Sequence, residues 1–302
     1  MAELKFKTER LNDIIKVNIK GSNDPDWEQW VLLTSDRHWD NPKSNRDLQK
    51  KHLDKAKERN AMVIDLGDLF CLMQGRYDPR GSKSSVREEH NVDHYLDAVI
   101  EDAIEYFSPY AENLVMVGVG NHEASVSRRC ETDITRRFVE GLRGTCSNAT
   151  VLAGGITGFI KLIFTIGSRR HNYLVDYHHG YGGGGPVTRN VIQSNRRAVY
   201  SNADIVCQGH VHEAWQMPIT KRTVTQSGYI THKTQWHLQV PSYKHHYGKG
   251  KVNWENLKGF PPKPVGCVWL RFFRDDYTDP ETRRRVKGVN FDRHIDIIEY
   301  GA

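Results

Sequence analysis

The chain has few cysteines, and their arrangement argues against a disulfide framework or a zinc ribbon. Its five cysteines are scattered over 302 residues, and no two form a CxxC pair. No apolar run approaches the roughly 20 residues that span a bilayer. The first residues, MAELKFKTERLNDIIKV, lack the uninterrupted apolar stretch of a secretory signal. The sequence has no internal repeats, and we expect a cytoplasmic protein without a membrane segment.

The composition predicts a folded, mildly basic protein. Hydrophobic residues make up 38% of the chain and aromatic residues 10%, which is enough for a sizeable core and argues against wholesale disorder. The formal net charge is +6, and a positive balance favours a polyanionic partner without establishing one. Histidine is plentiful, with 15 copies, and the positions of these histidines are more informative than their number.

Apolar runs alternate with helix-like segments over most of the chain. The runs EQWVLLTSD, MVIDLGD, NLVMVGVG, IKLIFTI, NYLVDYHHG and ADIVCQGH are predicted strands, and helices are predicted over 44–60, 92–107, 131–142 and 188–199. This alternation is typical of stacked αβ units. After about residue 215 short β-like runs follow, including TVTQSGYI and GCVWLRFF. We predict a lead-in over 1–26, a catalytic core over 27–240, and a β-rich accessory extension of the same domain over 241–302.

Polar side chains of one chemical kind follow five of these apolar runs. They are Asp36 with His38, Asp68, Asn121 with His122 and Glu123, His178 with His179, and His210 with His212. Ligands of an open αβ sheet bind beyond the carboxyl ends of its strands, so these clusters are expected to converge. Carboxylate, carboxamide and imidazole ligands without thiolate suit borderline-to-hard divalent ions. The sequence therefore predicts a site for divalent metal.

The ordered series of these blocks resembles the calcineurin-like metallophosphoesterase superfamily. Here the blocks read DRH, GDLF, GNHE, HHG and GHVH, in order between residues 36 and 212. The resemblance implies an α+β fold, a four-layer αββα sandwich of two mixed β-sheets flanked by helices. It also implies two divalent metal ions, Mn in the first place, with Fe, Zn, Co or Ni as alternatives. The residues beyond about 215 carry none of these blocks.

The resemblance also implies a role for each matched residue. The implied ligands of one ion are Asp36, His38 and His212. Those of the other ion are Asn121, His179 and His210, and Asp68 would bridge the two ions. His122 would be catalytic rather than a ligand, stabilising charge on the phosphate or protonating the leaving oxygen. The implied nucleophile is a hydroxide that bridges the two metals.

Three residues beside these ligands have open roles. Glu123 either orients a ligand histidine or is an exposed carboxylate. The adjacent His178 and His179 face opposite ways along a strand, and because the family pattern places the ligand directly before the glycine, His178 is left to pack or to support a ligand. Arg37 either contacts phosphate or faces solvent, and we favour solvent. Other histidines are expected on the surface, among them His237, His245 and His246.

Basic residues occur in clusters, and one cluster alternates with aromatic residues. The clusters are Arg169–Arg170, Arg196–Arg197, the stretch from Arg283 to Lys287, and SYKHHYGKGKVNW, which interleaves Lys and His with Tyr and Trp. Such patterns suit a nucleic-acid backbone and unstacked bases. A solvated basic face is the open alternative.

The details of the blocks favour one branch of the superfamily over another. GDLF, and Val119 ahead of GNHE, depart from the Ser/Thr protein phosphatases, whereas TSDRH and GDLF are more similar to the Mre11/SbcD-type nuclease branch, whose third block more often ends in Asp. We therefore expect a dinuclear, metal-dependent phosphodiesterase or nuclease with nucleic acid, DNA first, as its substrate. The alternatives are a phosphomonoesterase or small-nucleotide phosphodiesterase and, disfavoured because every expected ligand is present, a catalytically inert binding scaffold.

Overall fold

The computed structural model describes residues 6–73, 78–79, 81, 85–183, 185–246, 259, 261–278, 283 and 285–298. Its helices are α1 (Arg46–Glu58), α2 (Tyr95–Phe107), α3 (Asn121–Cys130), α4 (Ile134–Thr145) and α5 (Val191–Tyr200), with short 3-10 turns at Glu88–His90 and Ser108–Tyr110. Its strands are β1 (Phe6–Leu11), β2 (Ile14–Lys20), β3 (Glu28–Thr34), β4 (Met62–Asp65), β5 (Leu114–Val117), β6 (Leu152–Ala153), β7 (Thr157–Ile166), β8 (Arg169–His178), β9 (Ile205–Gln208), β10 (Trp215–Val224), β11 (Ile230–Gln239), β12 (Gly266–Arg274), β13 (Tyr277–Thr278), β14 (Arg285–Val286) and β15 (Val289–Ile297).

Two large mixed sheets contain nearly all of these strands. One has seven strands in the order β1-β2-β7-β8-β9-β11-β10, and the other has six in the order β15-β12-β3-β4-β5-β6. In the six-stranded sheet β3, β4 and β5 run parallel, while β12 runs antiparallel to β3. In the seven-stranded sheet β8 is parallel to β9 and antiparallel to β7. The parallel strands of each sheet therefore bring their carboxyl ends to a common edge.

The two sheets pack face to face over a shared apolar layer. Val17 and Phe164 of the seven-stranded sheet meet Leu33, Ile64 and Phe272 of the six-stranded sheet in this layer. Strand β2 buries every second residue, whereas β4 is buried throughout. Burial on both faces is expected for a parallel strand that has a sheet on one side and helices on the other.

Helices cover the outer face of each sheet. Leu53 of α1, Phe107 of α2 and Phe138 of α4 belong to one apolar cluster with the outer face of the six-stranded sheet. Helix α5 covers the seven-stranded sheet, where its Arg197 pairs with Asp176 of β8 inside the protein. The order helix, sheet, sheet, helix confirms the predicted α+β sandwich. Across the described ranges, none of the helices combines the length and apolar character that a bilayer crossing requires.

Several segments differ from the expected elements. Residues 6–20, inside the predicted lead-in, form β1 and β2, and β2 joins the seven-stranded sheet by pairing with β7. The run TVTQSGYI contains the turn between β10 and β11, around the Thr225 to Tyr229 hydrogen bond, and is not a strand of its own. The predicted extension supplies β12, which lies between β3 and β15. Helix α3 was not predicted and begins inside the GNHE block.

Candidate metal centre

The predicted site residues follow the ends of five strands that meet at one edge of the sandwich. Asp36 follows β3, Asp68 follows β4, Asn121 follows β5, His179 follows β8 and His210 follows β9. Both sheets contribute, and Asp68 Oδ2 from one sheet lies 3.2 Å from His179 Nε2 of the other. The structure thus brings together residues from widely separated parts of the sequence, as the strand-end argument predicts.

A first cluster consists of Asp36, His38 and His212. The Nε2 atom of His212 lies 3.1 Å from Asp36 Oδ1 and 3.4 Å from His38 Nε2. His38 Nε2 is 3.9 Å from the same Asp36 oxygen. All three residues are buried, and their donor atoms lie within 4.8 Å of one another. Two imidazole nitrogens and a carboxylate oxygen at this spacing suit a divalent cation.

A second cluster consists of Asp68, Asn121, His179 and His210. Asn121 Oδ1 lies 3.1 Å from His179 Nε2 and 2.8 Å from His210 Nδ1. The donor atoms of Asp68, His179 and His210 lie within 4.8 Å of one another. His210 presents Nδ1 because its Nε2 faces the Gly182 carbonyl oxygen at 3.1 Å. The second cluster therefore offers one carboxylate, one carboxamide and two imidazoles.

Both carboxylates are oriented by hydrogen bonds to one of their two oxygens. Asp36 Oδ2 accepts hydrogen bonds from Ser35 Oγ at 2.6 Å and from the His210 backbone N–H at 2.8 Å. Asp68 Oδ1 accepts the His122 backbone N–H at 2.9 Å. The other oxygen of each carboxylate, Oδ1 of Asp36 and Oδ2 of Asp68, is left to face its cluster. Such supporting bonds fix the direction of a metal ligand.

Five of the seven candidate ligands have a left-handed backbone. The φ angles are 52° for Asp36, 47° for His38, 51° for Asp68, 72° for His210 and 56° for His212. Non-glycine residues rarely adopt this region, and each costs on the order of 1–3 kcal/mol. Because the surrounding sheets hold all five in this conformation, their side chains diverge from the strand direction and turn inward together.

Two glycines leave room for the carboxylates. A Cβ on Gly120 would lie 2.0 Å from Asp68 Oδ1, and a Cβ on Gly209 would lie 1.9 Å from Ser35 Oγ. Gly120 has a φ of −99°, which any residue can adopt. It is therefore the missing side chain, and not a special backbone angle, that position 120 requires.

The electrostatics of the pocket favour positive charge. Burial opposes ionisation of Asp68, but the charge and hydrogen bond of His179, together with the charges of the other neighbouring histidines, outweigh it and hold the Asp68 pKa well below its usual value. Burial also opposes charge on His179, yet the Asp68 carboxylate raises the His179 pKa to about 10. For Asp36, His212 overcomes burial and the pKa is again lowered. A divalent cation in the pocket would supply this positive charge and displace the proton.

His122 lies beside the clusters with one ring nitrogen occupied. Its Nδ1 is 2.5 Å from the Cys71 carbonyl oxygen, which can only accept, so Nδ1 carries the proton. Its Nε2 is 3.7 Å from Asp68 Oδ2. The donors of His38, Cys71 and His122 also lie within 4.8 Å of one another. The hydrogen bond to the Cys71 carbonyl oxygen fixes the His122 ring so that Nε2 points toward the candidate metal centre.

Arg37 does not face solvent, and that expectation is wrong. The side chain is 1% exposed, and its Nε donates to Asp65 Oδ2 at 2.8 Å. Its Nη1 donates to Gln49 Oε1 at 3.1 Å, and its guanidinium lies 5.0 Å from the Tyr243 ring centre. Arg37 therefore points away from the ligands on either side and into the layer beneath α1.

Glu123 is buried and holds backbone rather than a histidine. Its Oε2 accepts the Asp68 N–H at 3.1 Å and the Gly120 N–H at 2.8 Å, and its Oε1 accepts the Phe70 N–H at 2.9 Å. Burial and the Asp68 charge raise the Glu123 pKa to about 8. The alternative of an exposed carboxylate is wrong. Glu123 joins the loop that carries Asp68 to the start of α3.

His178 and His179 face opposite ways, as predicted from their adjacency. His179 is fully buried against the second cluster. His178 Nδ1 accepts the Gly180 backbone N–H at 2.7 Å, and its ring lies 5.5 Å from the Tyr181 ring. Burial lowers the His178 pKa to about 4. A neutral His178 therefore supports the glycine-rich loop and does not reach either cluster.

Of the histidines expected on the surface, His237 is inside the protein, and His246 is half-buried beside a candidate ligand. His237 is fully buried and lies 3.0 Å, through Nε2, from Gln235 Oε1. His246 Nε2 lies 2.7 Å from His212 Nδ1, the ring nitrogen that faces away from the first cluster. Sequence reasoning missed this contact because His246 belongs to none of the five blocks. The only signal was its place in a histidine pair within SYKHHYG.

Among the described residues, the arginine clusters are not gathered at this centre, whereas the SYKHHYG segment reaches it through His246. Arg169 and Arg170 begin β8, whereas the candidate ligand follows its far end, roughly 30 Å away at 3.3 Å per residue. Arg197 is buried against Asp176. Lys287 Nζ donates to Asn23 Oδ1 at 2.6 Å. Position 284 and most of the SYKHHYGKGKVNW stretch, 247–254, lie outside the described residues.

The chain has only low sequence identity and low TM-scores to the known structures that it resembles. No family model matches the chain, and no curated protein matches it. A conserved uncharacterized protein of Streptococcus pneumoniae, described as a predicted phosphoesterase, is 13% identical with a TM-score of 0.31, over 86% of this chain and 98% of that one. A Thermotoga maritima protein is 13% identical with a TM-score of 0.30, over 89% and 99%.

A third similar structure is the Plasmodium protein described as the anchor in the inner membrane complex. It is 9% identical with a TM-score of 0.39, over 90% of this chain and 89% of that one. Identities and TM-scores at this level carry no information about activity. The function of this chain therefore has to be inferred from its own side chains.

Proposed function

We propose that the chain is a metal-dependent phosphoester hydrolase with a dinuclear centre, and that its substrates are phosphodiesters of the nucleic-acid type. The single observation that supports this most strongly is the pair of adjacent donor clusters, each with a buried carboxylate and two imidazoles. Two neighbouring cations and a nearby histidine suit displacement at a phosphoester, and the formal net charge of +6 favours a polyanionic diester such as nucleic acid.

The residues fit a pair of divalent cations. Asp36, His38 and His212 would hold one ion, and the second cluster of Asp68, Asn121, His179 and His210 would hold the other, with Asp68 shared. The donor set is oxygen and imidazole, which is compatible with Mn, Fe, Zn, Co or Ni. Burial lowers the pKa of His38 and of His210, and the resulting neutral imidazoles are the form that binds metal.

The chemistry divides between the cations and the side chains. When bound, two divalent cations lower the pKa of water and neutralise charge on the phosphate. The chain itself orients the carboxylates, excludes water from the buried donors and presents His122 Nε2. Because Nδ1 of His122 donates its proton to the Cys71 carbonyl oxygen, Nε2 is the atom that faces the departing oxygen. It can give a proton or stabilise charge there when the ring is doubly protonated.

The proposal is tested with a panel of phosphoesters in the presence of Mn²⁺. The panel contains bis-p-nitrophenyl phosphate, p-nitrophenyl phosphate, single- and double-stranded DNA, and RNA. We expect the diester to be hydrolysed faster than the monoester, and a chelator to abolish turnover. Cleavage of DNA or RNA should weaken steeply with salt, because phosphate contacts release counterions.

The panel also separates the alternatives. Preference for p-nitrophenyl phosphate would replace the diesterase assignment with a phosphomonoesterase. Diester hydrolysis that stops at small esters would point to a small-nucleotide phosphodiesterase. Bound metal near two ions per chain with no turnover on any member would contradict hydrolysis and indicate a binding scaffold.

Replacing His246 with alanine is expected to weaken metal binding by roughly 10- to 100-fold, the usual effect of losing the outer partner of a ligand histidine. The reason is the 2.7 Å contact between His246 Nε2 and His212 Nδ1, which fixes the His212 ring. Titration of the metal-free protein with Mn²⁺ measures the effect. His232→Ala, an exposed histidine on β11, is the matched control, and equal affinities in the two variants would contradict the role.

A further inference from the structure

A groove opens from the second cluster toward the surface. It has a volume of about 640 Å³, and its lining includes Asn121, His179, Ile156, Tyr181 and Arg128. We call it the Tyr181 groove. Its volume falls in the range of about 300–1,000 Å³ that small-molecule sites occupy, and it exceeds what a phosphate alone needs.

The outer part of the groove offers apolar and aromatic surface. Tyr181 is 41% exposed and Ile156 is 43% exposed, and Val119 and Ala124 complete this side. The Tyr181 ring packs edge to face with the ring of His178, with ring centres 5.5 Å apart. An exposed, supported aromatic ring next to an aliphatic side chain is a surface on which a planar base can stack.

The groove also carries positive charge at one side and contacts the metal centre at the other. Arg128, in the last turn of α3, is exposed and lines the groove. Asp133 lines it as well, but Asp133 Oδ1 accepts the Arg136 backbone N–H at 2.9 Å as the cap of α4. An anion at the candidate metal centre would thus have the Arg128 guanidinium and an apolar surface within the same cavity.

We propose that the Tyr181 groove binds one nucleoside of a phosphodiester substrate, with the base against Tyr181 and Ile156 and the phosphate at the metal centre. The inference rests on the proposed function and specifies its substrate class. It assigns the groove to the nucleoside that stays on the phosphate, because His122, the residue that would meet the departing oxygen, is not among the residues that line the groove.

Two chromogenic diesters that differ only in the retained group test this. Thymidine 5′-(p-nitrophenyl phosphate) and methyl p-nitrophenyl phosphate share the leaving group. Tyr181→Ala is expected to lower kcat/KM for the thymidine ester by about 5- to 100-fold more than for the methyl ester, which is the effect of losing one stacked base. Tyr181→Phe should retain the wild-type ratio. Tyr229→Ala, an exposed tyrosine at the β10–β11 turn, is the matched control.

Binding provides a readout that does not depend on turnover. Affinity for thymidine 5′-monophosphate, measured by calorimetry with and without Mn²⁺, should fall in Tyr181→Ala and not in Tyr229→Ala. If both esters are hydrolysed and the ratio is unchanged in Tyr181→Ala, the inference is overturned and the proposed function stands. If neither ester is hydrolysed, the proposed function fails, and the groove assignment then stands or falls with the loss of nucleotide binding in Tyr181→Ala.

Discussion

Replacing His122 with alanine is expected to lower kcat by roughly 100- to 10,000-fold while the metal content stays near that of the wild type. The basis is the fixed ring of His122. Its Nδ1 is bonded to the Cys71 carbonyl at 2.5 Å, and its Nε2 lies 3.7 Å from Asp68 Oδ2. In this position Nε2 can serve the departing oxygen, and its loss removes that assistance without removing a member of either donor cluster.

The measurement needs both steady-state kinetics on bis-p-nitrophenyl phosphate and metal analysis of the same preparation. His232→Ala, an exposed histidine on β11, is the control for loss of an imidazole. Loss of metal in His122→Ala would make His122 a ligand, together with His38 and Cys71, whose donors lie within 4.8 Å. Full activity in the variant would remove His122 from the mechanism.

Replacing Asp68 with asparagine is expected to reduce both metal binding and turnover, with kcat lower by roughly 1,000-fold or more, because a cation contributes several kcal/mol to stabilising the transition-state charge. The carboxamide keeps the volume of the side chain and retains an oxygen to accept the His122 backbone N–H. It removes the negative charge that lies 3.2 Å from His179 Nε2. The change therefore tests charge more than packing.

The effect of Asp68→Asn is measured by metal analysis, steady-state kinetics and thermal unfolding. Because a ligand that binds only the folded state raises its stability, Mn²⁺ should raise the wild-type melting temperature more than that of Asp68→Asn. Asp13→Asn, in the exposed turn between β1 and β2, is the matched control. An unchanged metal content with unchanged kcat in Asp68→Asn would contradict a shared ligand at this position.

The strand ends that carry the site could be predicted from the sequence because their signals are local, whereas the two-sheet sandwich was implied only by the family resemblance. Short apolar runs that end in Asp, Asn or His identify strands and their carboxyl ends, and parallel strands bring those ends to one edge. Asp36 and His210 come from different sheets, yet the His210 backbone N–H lies 2.8 Å from Asp36 Oδ2. Convergence across the two sheets also requires their face-to-face packing, which strand direction by itself does not predict.

What the sequence could not predict depends on partners far along the chain. Arg37 looks like an exposed loop residue until Asp65 and Gln49 are placed beside it. His246 is unremarkable in its own segment, and only the fold brings it to His212. A polar side chain is buried when a partner distant in sequence is placed beside it, so a local sequence pattern does not reveal its burial.

The secondary-structure prediction was wrong where the local sequence signals were mixed. Strand β2, IIKVNIK, does alternate, with its buried residues at every second position, but the charged residues around it suggested a lead-in. Helix α3 has Gly120 as its N-cap and opens with polar residues, so the block reads as the end of a strand. In both cases contacts between distant parts of the sequence decide the outcome: β2 pairs with β7, and Glu123 of α3 accepts the backbone N–H groups of Asp68 and Phe70.

The left-handed backbone of five candidate ligands restricts how this site can change during evolution. Asp, Asn and His are the non-glycine residues found most often in that conformation, and Asp and His occupy all five positions. Exchange among these three types keeps the chain geometry and alters only the balance of oxygen and nitrogen donors. A lineage that substituted cysteine or a branched residue would meet a conformational barrier before any benefit from a new cation. The shape of the loops therefore biases descendants toward oxygen- and imidazole-bound metals.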